Sequence, residues 1–299
     1  VADTLGRVSS AGAGGAGLAV GPVGVVGGSD GELVPVRPLA FRELLDLPFA
    51  LIQGHVRLLA GLIAPVYVVA VGVVVGVTAA GSGVTGGSDD GTAWAAIVST
   101  LVCAWLLRLF VRGVATPIGL AGVHLRAIGW RGALAEMRAR FGALLAFQGI
   151  YTLIGAGVLI PATPLMITLL PAIVWLSWLR AKRFAVLPVL FEEGGGYRAA
   201  VARAKILAVG AEWQIAGLWL YLRGLLLVLV VPVLGIPLFL SDFSGTHRWA
   251  VIVLVTAAAL LIVTFTEVVD SATRVVAYVD RRCRREAWDI RIPVGGRIR

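Results

Sequence analysis

Residues 56–80 read VRLLAGLIAPVYVVAVGVVVGVTAA, with Arg57 as the only charge. A helix needs ~20 apolar residues to cross the hydrocarbon core of a bilayer. This stretch satisfies that requirement and has no alternating pattern that would suit a strand. Five further segments qualify, at about 94–115, 142–160, 165–190, 213–240 and 249–270. The expected fold class is therefore an all-α integral membrane protein with six transmembrane helices.

The segments between these helices alternate in kind. Gly81–Gly91, Pro161–Pro164 and Ser241–Arg248 together hold one basic residue, Arg248. The other connections are crowded. Residues 126–140 carry Arg126, Arg131, Arg138 and Arg140, and residues 180–205 carry Arg180, Lys182, Arg183, Arg198, Arg203 and Lys205. Arg37, Arg42 and Arg57 flank the first span. Basic residues accumulate on the cytoplasmic side of membrane proteins, so this asymmetry places both termini in the cytoplasm.

Composition agrees. Of 299 residues, 59% are hydrophobic and 14% charged, whereas soluble domains run near ~45–50% and ~25%. The net charge of +9 would suggest nucleic acid on a soluble protein; here its placement points to membrane orientation, and no nucleic-acid partner is expected. Arginine outnumbers lysine, which occurs only at Lys182 and Lys205. That bias, with abundant Ala, Val and Gly, suggests a bacterial genome rich in GC and hence an inner-membrane location. Cys103 and Cys283 make no disulfide framework, and His55, His124 and His247 lack metal-ligand spacing. No cofactor or metal is expected.

Residues 1–36 are rich in Gly, Ala, Val and Ser and read as a flexible tail. Asp3 and the interrupting glycines do not suit a signal peptide. Gly12–Gly17 matches G-x-G-x-x-G, but without a preceding strand the match does not indicate dinucleotide binding. Residues 37–292 are expected to form the membrane domain and 293–299 a short basic tail.

An internal repeat emerges when Phe41 is aligned with Tyr197. FRELLDLPFALIQGHVRLLAGL (41–62) then lies over YRAAVARAKILAVGAEWQIAGL (197–218), with Arg42/Arg198, Gly54/Gly210, Ala60/Ala216, Gly61/Gly217 and Leu62/Leu218 identical. WRGALAEMRARFGALL, from Trp130, has the same character. Phe41, Leu44, Leu45, Leu51 and Ile52 fall on one helical face, opposite Arg42, Glu43 and Asp46. Three interfacial amphipathic helices are expected, each leading a pair of spans, so the chain forms three repeated helix units. Arg112-x4-Pro117 parallels Arg183-x4-Pro188, and Arg274 precedes Val-Val-Ala-Tyr. Each returning helix is expected to continue as a bent cytoplasmic extension.

Charges within spans are costly and frequently functional. Candidates are Arg108, Arg112, the Arg180/Lys182/Arg183 group, Arg223, Glu267 and Asp270. If three units surround one axis, Arg112, Arg183 and Arg274 converge, with Arg108, Glu267 and Asp270 beside them. Such a pocket would suit an anionic lipid or phosphate headgroup. Interfacial snorkelling or helix-pairing salt bridges would use the same residues. Glu192-Glu193 reads as the charge partner of the following helix's N-terminus. Gly72-x3-Gly76 permits close helix packing.

The C-terminal run Asp280, Arg281, Arg282, Arg284, Arg285, Glu286 and Asp289 forms a juxtamembrane basic motif that would attract anionic lipid. Its mixed acids also suit packing against other cytoplasmic helices.

FRELLDLPFALIQGHVRLLAGL (41–62), LPVLFEEGGGYRAAVARAKILAVGAEWQIAGLWL (187–220) and VVAYVDRRCRREAWDIRI (275–292) resemble the bacterial family named for the membrane domain of glycerophosphoryl diester phosphodiesterases. Tyr278, Asp280, Arg282, Arg285, Glu286 and Asp289 are arranged much as in that family's closing pattern, though Cys283 and Arg284 alter the spacing. The resemblance implies a six-helix membrane domain mostly without assigned activity. The catalytic signature is not matched: the His247-Arg248 dipeptide leads into an apolar run. No catalytic set is found, so the chain reads as a non-enzymatic accessory factor of envelope or lipid biogenesis. The alternative is a small transporter or lipid-handling protein. Membrane lipids and other envelope membrane proteins are the expected partners.

Overall fold

The computed structural model describes residues 34–287 except 165 and 245–247, with backbone only for 237, 238, 240–244 and 248–250. Most of the expected tail 1–36, the terminal segment 293–299, His247 and Asp289 lie outside the described residues. Ten helices follow in order among them. They are α1 (Phe41–Gly54), α2 (Val56–Val84), α3 (Asp89–Val123), α4 (Trp130–Ala139), α5 (Phe141–Ala162), α6 (Met166–Ala181), α7 (Val186–Glu192), α8 (Tyr197–Ala208), α9 (Glu212–Ser244) and α10 (Arg248–Glu286).

Five helices are long and apolar enough to cross a membrane: α2, α3, α5, α9 and α10. The protein is thus all-α over the described residues and equipped as a multi-pass membrane protein. Large apolar side chains on these helices stay exposed, among them Val68, Val73, Val98, Leu153, Leu227 and Val231. An exposed apolar face is costly in water and neutral against lipid tails.

The expected span 165–190 does not run as one helix. It divides into α6, 16 residues long, and α7, with turns at 182–185. At 1.5 Å per residue α6 measures about 24 Å, short of the ~30 Å hydrocarbon core. Pro188 explains the break. Its ring would clash with the carbonyl of residue 184 in a continuous helix, and at the third position of α7 its missing N–H is not needed. The backbone closes instead through i→i−3 bonds, Arg183 N–H to Arg180 O (3.0 Å) and Phe184 N–H to Ala181 O (3.2 Å). Pro117, by contrast, lies inside an unbroken α3.

The short helices α1, α4 and α8 each lead into a long one. The first two joints share a backbone conformation: His55 has φ −121°, ψ 13° and Arg140 has φ −112°, ψ 15°. The third turns through Gly210 at φ +76°, a left-handed value that glycine adopts without steric cost. At the opposite end, Ser88 caps α3 by accepting from Gly91 N–H (3.2 Å), and Asp89 and Asp90 complement the positive end of its dipole.

The C-terminal parts of α3 and α10 are buried on every side, from Val111 to Val123 and from Val269 to Arg281. Around them pack α1, α4, α7, α8 and α9. Val34 and Leu39 already belong to this core, so the segment before α1 is packed down. Contacts here are tight: a Cβ on Gly122 would lie 2.5 Å from the His55 ring, and one on Gly113 2.4 Å from Met137.

Candidate functional site: a buried arginine cluster

Five helices form a closed ring. α3 packs on α5, α5 on α6, α6 on α9, α9 on α10, and α10 back on α3. Each contributes polar side chains to one interior cluster.

Arg112 of α3 is 1% exposed. Its Nε donates to Glu267 Oε1 of α10 and its Nη1 to Gln148 Oε1 of α5. Its guanidinium lies 4.5 Å from the Tyr151 ring centroid and 5.5 Å from that of Phe147. One turn earlier, Arg108 places Nε 3.8 Å from Glu267 Oε2 and keeps 42% of its side chain exposed. Arg274, 2% exposed, donates from Nε (3.0 Å) and Nη2 (2.8 Å) to Asp270 Oδ2, one turn before it on α10. Arg223 of α9 reaches within 3.9 Å of the same oxygen. Arg180 of α6 lies 4.1 Å from the Tyr151 centroid and 5.0 Å from Trp219.

Five guanidinium groups thus surround two carboxylates, a formal excess of three positive charges. Buried charge is expensive unless paired, and aromatic faces offset part of the cost at about 0.5–2 kcal/mol per contact. Three buried donors beside Arg180 have no hydrogen-bond partner among the described residues: Arg180 Nε, Tyr151 Oη and Trp219 Nε1. Leaving such a group unpaired costs about 1–3 kcal/mol. Gly155 makes room for this corner, since a Cβ there would lie 2.9 Å from Arg180 Nη2. The arrangement suits a compact anion with several acceptor oxygens.

The structure brings together Arg108, Arg112, Arg274, Glu267 and Asp270 as the spacing suggested. Arg183 is not in the contacts of this cluster, and Arg180 takes the place expected for it. The break after α6 changes the helical phase, so Arg183 lies in the turn at 182–185, its Nη1 buried without a partner. The match between Arg112-x4-Pro117 and Arg183-x4-Pro188 aligned a helix interior with a helix break. Gln148 and Tyr151 escaped sequence reasoning; their signal was two polar side chains one turn apart inside an apolar span.

The C-terminal motif is engaged with the protein itself. Asp280, fully buried, accepts from Leu39 N–H (2.8 Å), Arg281 (2.9 Å) and Arg284 (2.8 Å). Arg284 also donates to Leu39 O (2.6 Å), and Arg285 to Val209 O. Arg281 reaches Gln214 (3.1 Å). Glu286 accepts from Arg203 and from Arg282 (3.2 Å), and Arg282 donates to Tyr278 Oη (3.1 Å). These contacts fasten the segment before α1, α8 and the start of α9 onto α10. Glu193 joins them through Arg203 (2.9 Å) and Tyr278 (3.1 Å). Glu192 pairs with His124 at 2.9 Å, and that contact holds its carboxyl below the usual range. Both acids therefore bind side chains, whereas the sequence suggested the amide end of α8.

No family model matches the chain, and neither a curated protein nor a solved structure does.

Proposed function

We propose that this chain is a lipid-handling protein of a bacterial inner membrane, and that its ring of α3, α5, α6, α9 and α10 holds a phosphate-bearing headgroup from the cytoplasmic side. One observation carries the reading: unpaired buried donors at Arg180, Tyr151 and Trp219, beside an excess of three positive charges. Guanidinium groups bind phosphate oxygens through paired N–H donors.

In this reading α6, extended by tilt or local thinning of the bilayer, is the sixth span. The units α1–α3, α4–α7 and α8–α10 are three versions of one plan, with α1, α4 and α8 at the interface and both termini cytoplasmic. The shared joint conformation at His55 and Arg140 supports that plan. The resemblance to the phosphodiesterase membrane-domain family belongs to the same proposal. The cluster is assigned binding and no reaction, which fits a non-enzymatic role in envelope or lipid biogenesis.

The test is titration of the full chain in mild detergent with glycerol phosphate. Saturable binding that weakens about tenfold, or 1.4 kcal/mol, in Arg180→Gln is the expected result. Equal affinity of the two proteins would overturn the assignment.

A further inference from the structure

A groove of about 470 Å³ runs between α3 and α10 on the half remote from the C-terminal motif. Ala93, Ile97 and Leu101 form one wall, and Ile252, Val255 and Ala259 the other. The lining is apolar apart from Thr100 and Thr256, and Thr256 spends its hydroxyl on Ile252 O of its own helix (2.7 Å).

The register of the two helices aims this groove at the arginine cluster. Arg108 follows Leu101 by seven residues and Ile97 by eleven, close to two and three whole turns at 3.6 residues per turn. Glu267 follows Thr256 by eleven. The stripe forming each wall therefore continues inward to the Arg108–Glu267 pair. Arg108 is the cluster's most exposed arginine among those in its ion pairs. It has only a long contact to a carboxylate whose other oxygen is taken by Arg112. From Ala93 to Arg108 the helix rises about 22 Å, about three-quarters of the ~30 Å hydrocarbon core.

We infer that the groove holds a hydrocarbon chain of the lipid whose phosphate lies in the arginine cluster, with Arg108 on the path between the two, so that the ligand is read at both ends. This rests on the headgroup reading above and adds the identity of the ligand as a long-chain amphiphile. Charge complementarity selects this occupant: the groove is lined by neutral, mostly apolar side chains, and the same face of α3 carries the part-exposed, loosely paired Arg108 two turns beyond Leu101.

Two probes separate the claims, palmitoyl-oleoyl phosphatidylglycerol and glycerol phosphate, each titrated against the full chain in detergent. The wild type should prefer the long-chain probe by more than about tenfold. Ala259→Phe, which fills the groove, should abolish that preference while still binding glycerol phosphate. Ala80→Phe, on an exposed position of α2, should behave as wild type. A long-chain preference that survives Ala259→Phe would overturn the inference and leave the headgroup reading intact. So would a photo-crosslinker at position 97 that captures a second copy of the chain and no lipid. Failure of both probes to bind the wild type would overturn both readings.

Discussion

Arg180 lies over the face of Tyr151, 4.1 Å from the ring centroid, yet neither its Nε nor the Tyr151 hydroxyl has a hydrogen-bond partner among the described residues. The pair is positioned by packing and left with free donors. Gly155 permits the approach, because any larger residue would meet Arg180 Nη2. Gly155→Leu should therefore lower headgroup affinity as much as Arg180→Gln, about tenfold. Arg183→Gln should leave it unchanged. Binding titrations of the three variants check this, and a loss in Arg183→Gln equal to that in Arg180→Gln would place the ligand elsewhere.

Glu267 stands between Arg108 and Arg112. Glu267→Gln leaves two guanidinium groups without their carboxylate, and breaking a buried pair from one side costs about 3–5 kcal/mol. Arg112→Leu should be similarly damaging, since it strands the carboxylate. The double variant Arg112→Leu/Glu267→Leu should lose markedly less than the sum of the single changes. Thermal unfolding in detergent provides the comparison; strict additivity would mean that the two side chains do not depend on one another.

Asp280 ties the segment before α1 to α10 through Leu39 N–H. Asp280→Ala orphans that amide and removes the acceptor of Arg281 and Arg284. A cost of about 3–5 kcal/mol is expected, and it should be felt first in the N-terminal segment. Hydrogen exchange should show residues 39–46 losing protection before the ends of α3 and α10. Uniform loss along the chain would contradict a local fastening.

The Glu192 carboxyl is held below the usual value of 4.5 by its close contact with His124, with Arg126 and Arg282 adding to the effect. A depressed carboxyl contributes stability that is complete above the unfolded value and lost as pH falls through the folded one. Unfolding temperature should therefore decline on acidification below about pH 4.5. Glu192→Gln should flatten that decline and lower stability at neutral pH. An unchanged acid limb in the variant would show that other carboxyls govern it.

Much of this was legible in the sequence because lipid imposes a simple rule on it. Every backbone polar group in the bilayer must be satisfied within the chain, so long apolar runs become helices, and five of them appear where they were expected. The i, i+4 pair Asp270–Arg274 and the acids between basic residues in 280–286 could be read from spacing. Arg180 could not. Its place depends on where Pro188 forces the chain out of helix, and the resulting change of phase moves Arg183 aside. Tyr151 and Trp219 were obscured because aromatic residues in apolar helices are common, and only the arrangement of the ring shows that these two face arginine.

The Arg112–Glu267 pair spans 155 positions of sequence, which has a consequence for biogenesis. At translation rates of about 5–20 residues per second, α3 precedes the carboxylate by roughly 8–30 s. Throughout that interval Arg112 must be sheltered by water, by the insertion machinery or by Gln148, which arrives first. A helix made late therefore neutralises the charge on an early one, and a ribosome stalled before residue 267 would leave a nascent chain with an unmatched arginine for quality control to detect.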